Sequence, residues 1–175
     1  MSSMSHRVEQ VIEELAEIYL RKAPAEWIRL VVWVGRLAEP DGTPAPADIK
    51  LNRVATWSNG QLGSAYIKAF GTSDLYRRLE EELAGRPEAG WTQLRIEVDR
   101  DGARRVGFVT DEPCRAFDNA ATDPYWRQVH DYVDLNVKDL EGLVDRLRQQ
   151  ADLPPEQRPS EEPRRRKVLN YFRTS

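Results

Sequence analysis

The chain has 175 residues, a formal net charge of −3, 40% hydrophobic residues and 31% charged residues. This length suits one domain with a real hydrophobic core, and the composition is typical of a cytosolic globular protein. The sequence contains no apolar run near the roughly 20 residues of a membrane span, and its N-terminal stretch lacks the apolar core of a secretion signal. The single cysteine excludes an internal disulfide and a cysteine-rich zinc site. We therefore expect a cytoplasmic protein with no membrane association.

The charges are distributed unevenly along the chain. Residues 151–175 contain six basic and four acidic residues, a net charge of +2, which leaves residues 1–150 with a net charge of −5. An acidic body argues against nucleic acid as the main ligand and favours a basic protein partner.

The first two elements are a helix and a strand. Apolar residues at helical spacing predict a helix over residues 5–22, ended by Pro24, and they form the stripe Val8, Val11, Ile12, Leu15, Ile18 and Tyr19. The following run, residues 27–37, is rich in β-branched and aromatic residues and is apolar on both faces. This pattern predicts a strand at the centre of a sheet.

Two more strands are predicted after a long loop. Residues 39–47 contain three prolines and a glycine, which predicts irregular structure. Alternation predicts a strand over residues 49–57, and a weaker one follows the turn at residues 58–60, over residues 61–70. Gly63 within the weaker strand indicates a bulge or a bend.

A capped helix precedes the best-specified part of the chain, a hairpin over residues 91–110. The helix begins near residues 72–74 and ends at Gly85. In the hairpin, apolar and charged residues alternate on both sides of Asp101-Gly102. A two-residue loop would place apolar residues of one strand opposite a charged residue and a glycine of the other. A three-residue loop with a left-handed Gly102 instead pairs Ile96 with Val106 and Leu94 with Phe108, so we predict that register.

Helices are predicted to complete the domain. Residues 111–122 form an irregular acidic loop, and Asp123-Pro124 begins a helix whose apolar side includes Val129 and Tyr132. A second cap at Asn136 begins a final helix with the stripe Val137, Leu140, Leu143, Val144 and Leu147. The prediction is one α+β domain, residues 1–150, with an antiparallel sheet of about five strands and helices packed on one face. Residues 151–175 form a flexible Pro/Arg-rich tail that docks back, if at all, at residues 168–172.

The sequence offers few residues for chemistry. It lacks a phosphate loop, a dinucleotide glycine fingerprint and a nucleophile elbow. The best enzymatic residues, Cys114, His130 and Asp131, share no motif, and the stretch Asp99-Arg100-Asp101-Gly102 fits a hairpin turn better than a calcium loop. We expect no enzyme, no catalytic residue, no metal and no cofactor. The basic–aromatic stretch 164–172 suggests an alternative function as a nucleic-acid-associated adaptor or small interaction module.

The order of elements, together with several local motifs, resembles the YezG-like immunity (antitoxin) family of polymorphic toxin systems. The similar stretches are Leu15 to Ile18 followed by Ala23-Pro24-Ala25-Glu26-Trp27, the hairpin opened by Trp91-Thr92 with Leu94, Ile96, Glu97, Val98 and Gly102, and Asp123-Pro124-Tyr125. The similarity covers roughly residues 8–135. Relative to the family, the acidic segment after the hairpin is diluted by Cys114 and Arg115, and the chain continues with the Pro/Arg-rich tail.

The resemblance implies an inhibitor that blocks the active site of a cognate secreted toxin without turnover. The toxin would be a nuclease or an NAD glycohydrolase of the necrotizing-toxin type, bound in a 1:1 complex by a chain that is monomeric when free. Since such active sites bind anionic substrates, acidic loops are the expected contacts. The candidate toxin-binding residues are Glu39, Asp41, Gly42, Asp111, Glu112, Asp118 and Asp123.

Overall fold

The computed structural model of the protein describes residues 4–116, 123–150 and 153. It contains five strands: β1 (Trp27–Ala38), β2 (Pro44–Ser58), β3 (Gln61–Ala65), β4 (Gln93–Asp99) and β5 (Arg104–Val109). Its helices are α1 (His6–Leu20), α2 (Ser73–Leu83), α3 (Pro124–His130), α4 (Tyr132–Leu135) and α5 (Val137–Gln149), with a 3-10 helix at Pro87–Gly90. Within these ranges, none of the helices is long and apolar enough to cross a membrane.

The strands form one antiparallel sheet in the order β3-β2-β1-β4-β5. The predicted α+β class and five-stranded sheet are therefore confirmed. The central place of β1 is also confirmed, since it pairs with β2 on one side and β4 on the other. Its residues are buried from Ile28 to Gly35.

Helices cover both faces of the sheet, so the prediction of helices on one face is wrong. Alternate residues of β1 point to two separate cores: Leu30 and Val32 pack with α1 and α2, and Val31 and Trp33 pack with α3, α4 and α5. We call the α1/α2 side the first face and the α3–α5 side the second face. A strand that is apolar on both faces requires cover on both, which is the physical reason for the correction.

The hairpin of β4 and β5 has the predicted register. Ile96 lies opposite Val106, and Leu94 lies opposite Phe108. Gly102 has a φ of 91°, and the main-chain N–H of Asp99 donates to the carbonyl of Ala103 across a distance of 2.8 Å. The three-residue loop with a left-handed glycine is therefore confirmed.

Strand boundaries differ from the prediction around β2 and β3. β2 begins at Pro44, so the last four of the nine residues of the predicted loop 39–47 belong to β2 and a five-residue turn remains. Prolines are tolerated there because β3 pairs with β2 only from Val54 onward, which leaves the start of β2 without a partner on that side. β3 ends at Ala65 and pairs in continuous register through Gly63, so the bulge predicted there is wrong. The Asn52 side chain then exchanges two hydrogen bonds of 2.9 Å with the main chain of Ile67.

The helices mostly follow their predicted stripes. Ser5 caps α1 by accepting from the N–H of Val8 at 3.4 Å, and Gly85 follows α2 with a φ of 76°. The helix predicted from Asp123 is interrupted at Asp131, which separates α3 from α4. Leu153 packs against the second-face core. The rest of the predicted tail, including residues 168–172, lies outside the described residues.

Candidate protein interface

Two acidic segments that are distant in sequence lie at the same end of the sheet. One is the turn 39–43 between β1 and β2, and the other is the segment 111–116 after β5. Arg115 forms a parallel bridge with Leu37: its N–H donates to the carbonyl of Arg36 at 2.9 Å, and its carbonyl accepts from Ala38 at 2.8 Å. The bridge therefore holds segment 111–116 beside the end of β1, where the turn begins. We call these two segments together the acidic surface.

The turn 39–43 has a defined conformation. The N–H of Glu39 donates to the carbonyl of Thr43 at 2.7 Å, and Gly42 has a φ of 85°, which favours glycine. The carboxylate of Asp41 accepts from the N–H of Thr43 at 3.0 Å and from its hydroxyl at 2.6 Å. These hydrogen bonds hold the pKa of Asp41 below its ordinary value, so it is charged at neutral pH. The part of the predicted loop that remains outside β2 is thus a tight, pre-organised turn.

The carboxylates of the acidic surface are exposed and have no cationic partner among the residues that the structure describes. Glu39, Asp41, Asp111 and Glu112 are all exposed, and within the described ranges none of them forms an ion pair with a basic side chain. Glu112 accepts hydrogen bonds only from neutral groups, at 2.7 Å from the Gln93 amide and 3.0 Å from the Tyr125 hydroxyl. The surface therefore presents uncompensated negative charge that a basic partner can neutralise.

Two arginines at the acidic surface, Arg36 beside it and Arg115 within segment 111–116, have other partners. Arg36 donates to Glu80 at 2.7 Å, and its guanidinium lies 4.4 Å from the centroid of the Trp91 ring. Arg115 forms an ion pair with Asp123 and lies 4.2 Å from the centroid of the Tyr125 ring. Both guanidinium groups are therefore paired with groups other than the four exposed carboxylates.

Asp123 is buried, so it is not part of an exposed acidic rim. Its side chain is 7% exposed, accepts from the N–H of Trp126 at 2.9 Å as the cap of α3, and pairs with Arg115. Burial favours the neutral form, but the N–H of Trp126 and the charge of Arg115 outweigh it and lower the pKa of Asp123. Gly35 leaves room for this pair, because a Cβ there would lie 3.2 Å from Cδ of Arg115. Asp118 lies outside the described residues.

A buried charged cluster on the second face was missed by the sequence reasoning. Every second-face side chain of β4 is polar, and three of the four are buried. Asp99 accepts from Arg29 at 3.0 Å, from Arg146 at 3.2 Å and from Arg105 at 3.4 Å. Arg29 also donates to the Tyr132 hydroxyl at 3.1 Å and pairs with Asp139. Arg29 is a single charged residue inside the apolar run 27–35, and that anomaly was the available sequence signal.

The cluster is structural in character, and its four arginines face four carboxylates, since Arg146 also pairs with Asp101 at 3.4 Å. Burial works against the ionised form of Glu97, but its hydrogen bond to Arg105 and the charge of Arg95 outweigh that effect, so the pKa of Glu97 is lowered. Hydrogen bonding to Arg29 lowers the pKa of Asp139. The guanidinium of Arg29 is 1% exposed and satisfied by Asp99, Asp139 and Tyr132. The cluster therefore links the centre of the sheet to α4 and α5.

Of the three residues considered for catalysis, His130 and Asp131 lie together at the end of α3, and Cys114 lies on a different segment. His130 stacks on Trp126 on α3, with ring centroids 4.5 Å apart, and its Nδ1 lies 2.7 Å from Asp131 Oδ1. Cys114 is half-buried on the segment 111–116. Among the residues that the structure describes, no hydrogen bond connects the Cys114 thiol to a base.

Comparison with known proteins identifies no family. No protein-family model matches the chain, and no curated protein matches it in sequence.

Proposed function

We propose that the protein is an immunity protein that binds a cognate toxin one-to-one and blocks its active site without turnover. The observation that carries the proposal is the pairing of two exposed acidic segments, 39–43 and 111–116, at one end of the sheet. A toxin that cleaves nucleic acid or NAD must bind phosphates, so its active site is basic. A pre-organised acidic surface opposes that charge, which speeds association and limits the entropy lost on binding.

The resemblance to the YezG-like immunity family supports the same proposal from the sequence. It extends over roughly residues 8–135, which include both acidic segments. The candidate contacts are the exposed residues Glu39, Asp41, Asp111 and Glu112, with Gly42 shaping the turn. In this proposal the protein works in the cytoplasm of the toxin-producing cell and is monomeric before it binds.

The test is a pull-down of the tagged full chain from a lysate of its own host, with retained proteins identified and quantified by mass spectrometry. We expect a toxin-domain protein at equal stoichiometry. The variant Glu39→Gln/Asp41→Asn/Asp111→Asn/Glu112→Gln should lose it. A matched control, Glu9→Gln/Glu17→Gln/Asp134→Asn/Glu141→Gln, removes the same charge from exposed helix positions and should retain it. Retention of nucleic acid alone, released by moderate salt, would refute the proposal and favour the adaptor function.

A further inference from the structure

The outer edge of β5 is unpaired. β5 is the last strand of the sheet, and within the described residues nothing pairs with its outer side. The N–H of Asp99 donates to Ala103, so by antiparallel alternation the pairs Glu97–Arg105 and Arg95–Gly107 exchange main-chain hydrogen bonds. The main-chain groups of the intervening residues, Arg104, Val106 and Phe108, therefore point outward and are available to another strand.

A groove runs beside this edge on the first face, between β5 and α1. A cavity of about 570 Å³ is lined by Ile12 and Val106, with Glu9, Glu13 and Arg104 at its rim. A second cavity of about 270 Å³ continues it past Val106 to Phe108. Val106 and Phe108 are half-buried, so this edge strand presents apolar side chains that the described residues cover only in part.

The second face of the same edge has a different character. A cavity of about 360 Å³ is lined by Arg95, Glu97, Arg105, Val106 and Gly107. The side chains of Arg95 and Arg105 are 44% and 49% exposed. Both pair with Glu97, and Arg105 also contacts Asp99, but these two carboxylates are buried, so the exposed part of this face consists of guanidinium groups. Gly107 has no Cβ, which allows a second main chain to approach closely.

We propose that the β5 edge binds an extended peptide segment of another protein as a sixth strand. Its main chain would pair with Arg104, Val106 and Phe108, as in β-strand addition. Because side chains alternate along a strand, the peptide would place apolar side chains in the groove beside α1 and acidic side chains against Arg95 and Arg105. The ligand is thus a strand of alternating apolar and acidic residues. A second copy of β5 fits poorly, since it brings two more arginines to the edge. This inference is independent of the proposed function.

The test titrates the ¹⁵N-labelled full chain with an acetylated ten-residue peptide in which valine and isoleucine alternate with glutamate. A control peptide carries lysine at every glutamate position. We expect amide shift changes concentrated at Arg104, Val106 and Phe108 and along the first two turns of α1. The lysine peptide should bind about tenfold more weakly or not at all, because its lysines meet the exposed guanidinium groups of Arg95 and Arg105.

Two variants separate the main-chain and the charge contributions. Val106→Pro removes an N–H that points away from β4 and should abolish binding. Arg95→Gln keeps the pairing of Glu97 with Arg105. It should reduce the affinity for the glutamate peptide about fivefold, and the difference in affinity between the glutamate and lysine peptides should become smaller. Arg78→Gln, a half-exposed arginine on α2, is the matched control and should leave the Kd unchanged.

Several outcomes would overturn the proposal. These are the absence of any binding by the glutamate peptide, equal binding of the two peptides, shift changes away from β5, or an Arg95→Gln variant with wild-type affinity. A dimer in sedimentation at the protein concentration of the titration, with the β5 shifts already present without peptide, would assign the edge to a second copy instead.

Discussion

Replacing Arg29 by methionine should destabilise the protein strongly, because it leaves the buried carboxylate of Asp99 without its main partner. The side chains of Arg29 and Asp99 are 1% and 0% exposed. Asp99 would keep Arg105 and Arg146 at 3.4 and 3.2 Å, but both are about half-exposed and cannot replace the lost contacts. Breaking a buried pair by removing one partner typically costs about 3–5 kcal/mol. For a chain of this size that lowers Tm by about 6–20 °C.

The assay is urea unfolding followed by tryptophan fluorescence and far-ultraviolet circular dichroism. The double variant Arg29→Met/Asp99→Leu removes both charges and should recover most of the loss, since an apolar pair of similar volume is often as stable as a buried ion pair. Arg78→Met breaks the exposed pair with Glu14 and serves as the control, with an expected loss below about 1 kcal/mol. A loss below about 1 kcal/mol for Arg29→Met, or a double variant less stable than the single one, would refute this reasoning.

Further predictions concern pH and glycine. The pKa values of Glu97 and Asp123 are lowered in the folded protein, so the unfolded chain takes up their protons first. The ordinary pKa values are 4.5 for Glu97 and 3.8 for Asp123, and above them the stabilisation by each carboxylate is fully present. It is lost as the pH falls through the lower pKa values that the two groups have in the folded protein. Urea unfolding between pH 7 and pH 3 should show this loss. In the Glu97→Gln variant the free energy of unfolding should fall less steeply as the pH decreases. Gly102→Ala should cost about 1–2 kcal/mol because its φ is 91°. Gly142→Ala, in the open middle of α5, should instead stabilise the protein by about 0.5–1 kcal/mol. Equal effects of the two alanines in urea unfolding would contradict the conformational argument.

Local patterns predicted the local structure well. The hairpin register follows from alternation over residues 94–108 and from one left-handed glycine, and the central place of β1 follows from its two apolar faces. The start of β2 was missed because the prolines at its beginning indicate a loop. Only the sheet order shows that this part of β2 has no partner on its outer side, where proline is tolerated.

The residues of the candidate interface could be predicted from the sequence, but their arrangement in space could not. Glu39 and Asp111 are acidic loop residues in any analysis of the sequence, but nothing local indicates that they lie at the same end of the sheet. That placement requires the Leu37–Arg115 bridge, a long-range contact. The burial of Asp123 also depends on this long-range contact, because β1 holds its partner Arg115 in place.

The bridge between Leu37 and Arg115 also determines when the acidic surface can form during translation. Of the five strands that the structure describes, Leu37 lies on the first to leave the ribosome, whereas Arg115 follows the last. The acidic surface therefore cannot assemble until every strand of the sheet has been synthesised and has emerged. Truncated translation products that end before residue 111 carry the turn 39–43 but lack its companion segment. In the proposed function, such fragments give a producing cell no protection, and only the completed sheet neutralises the toxin.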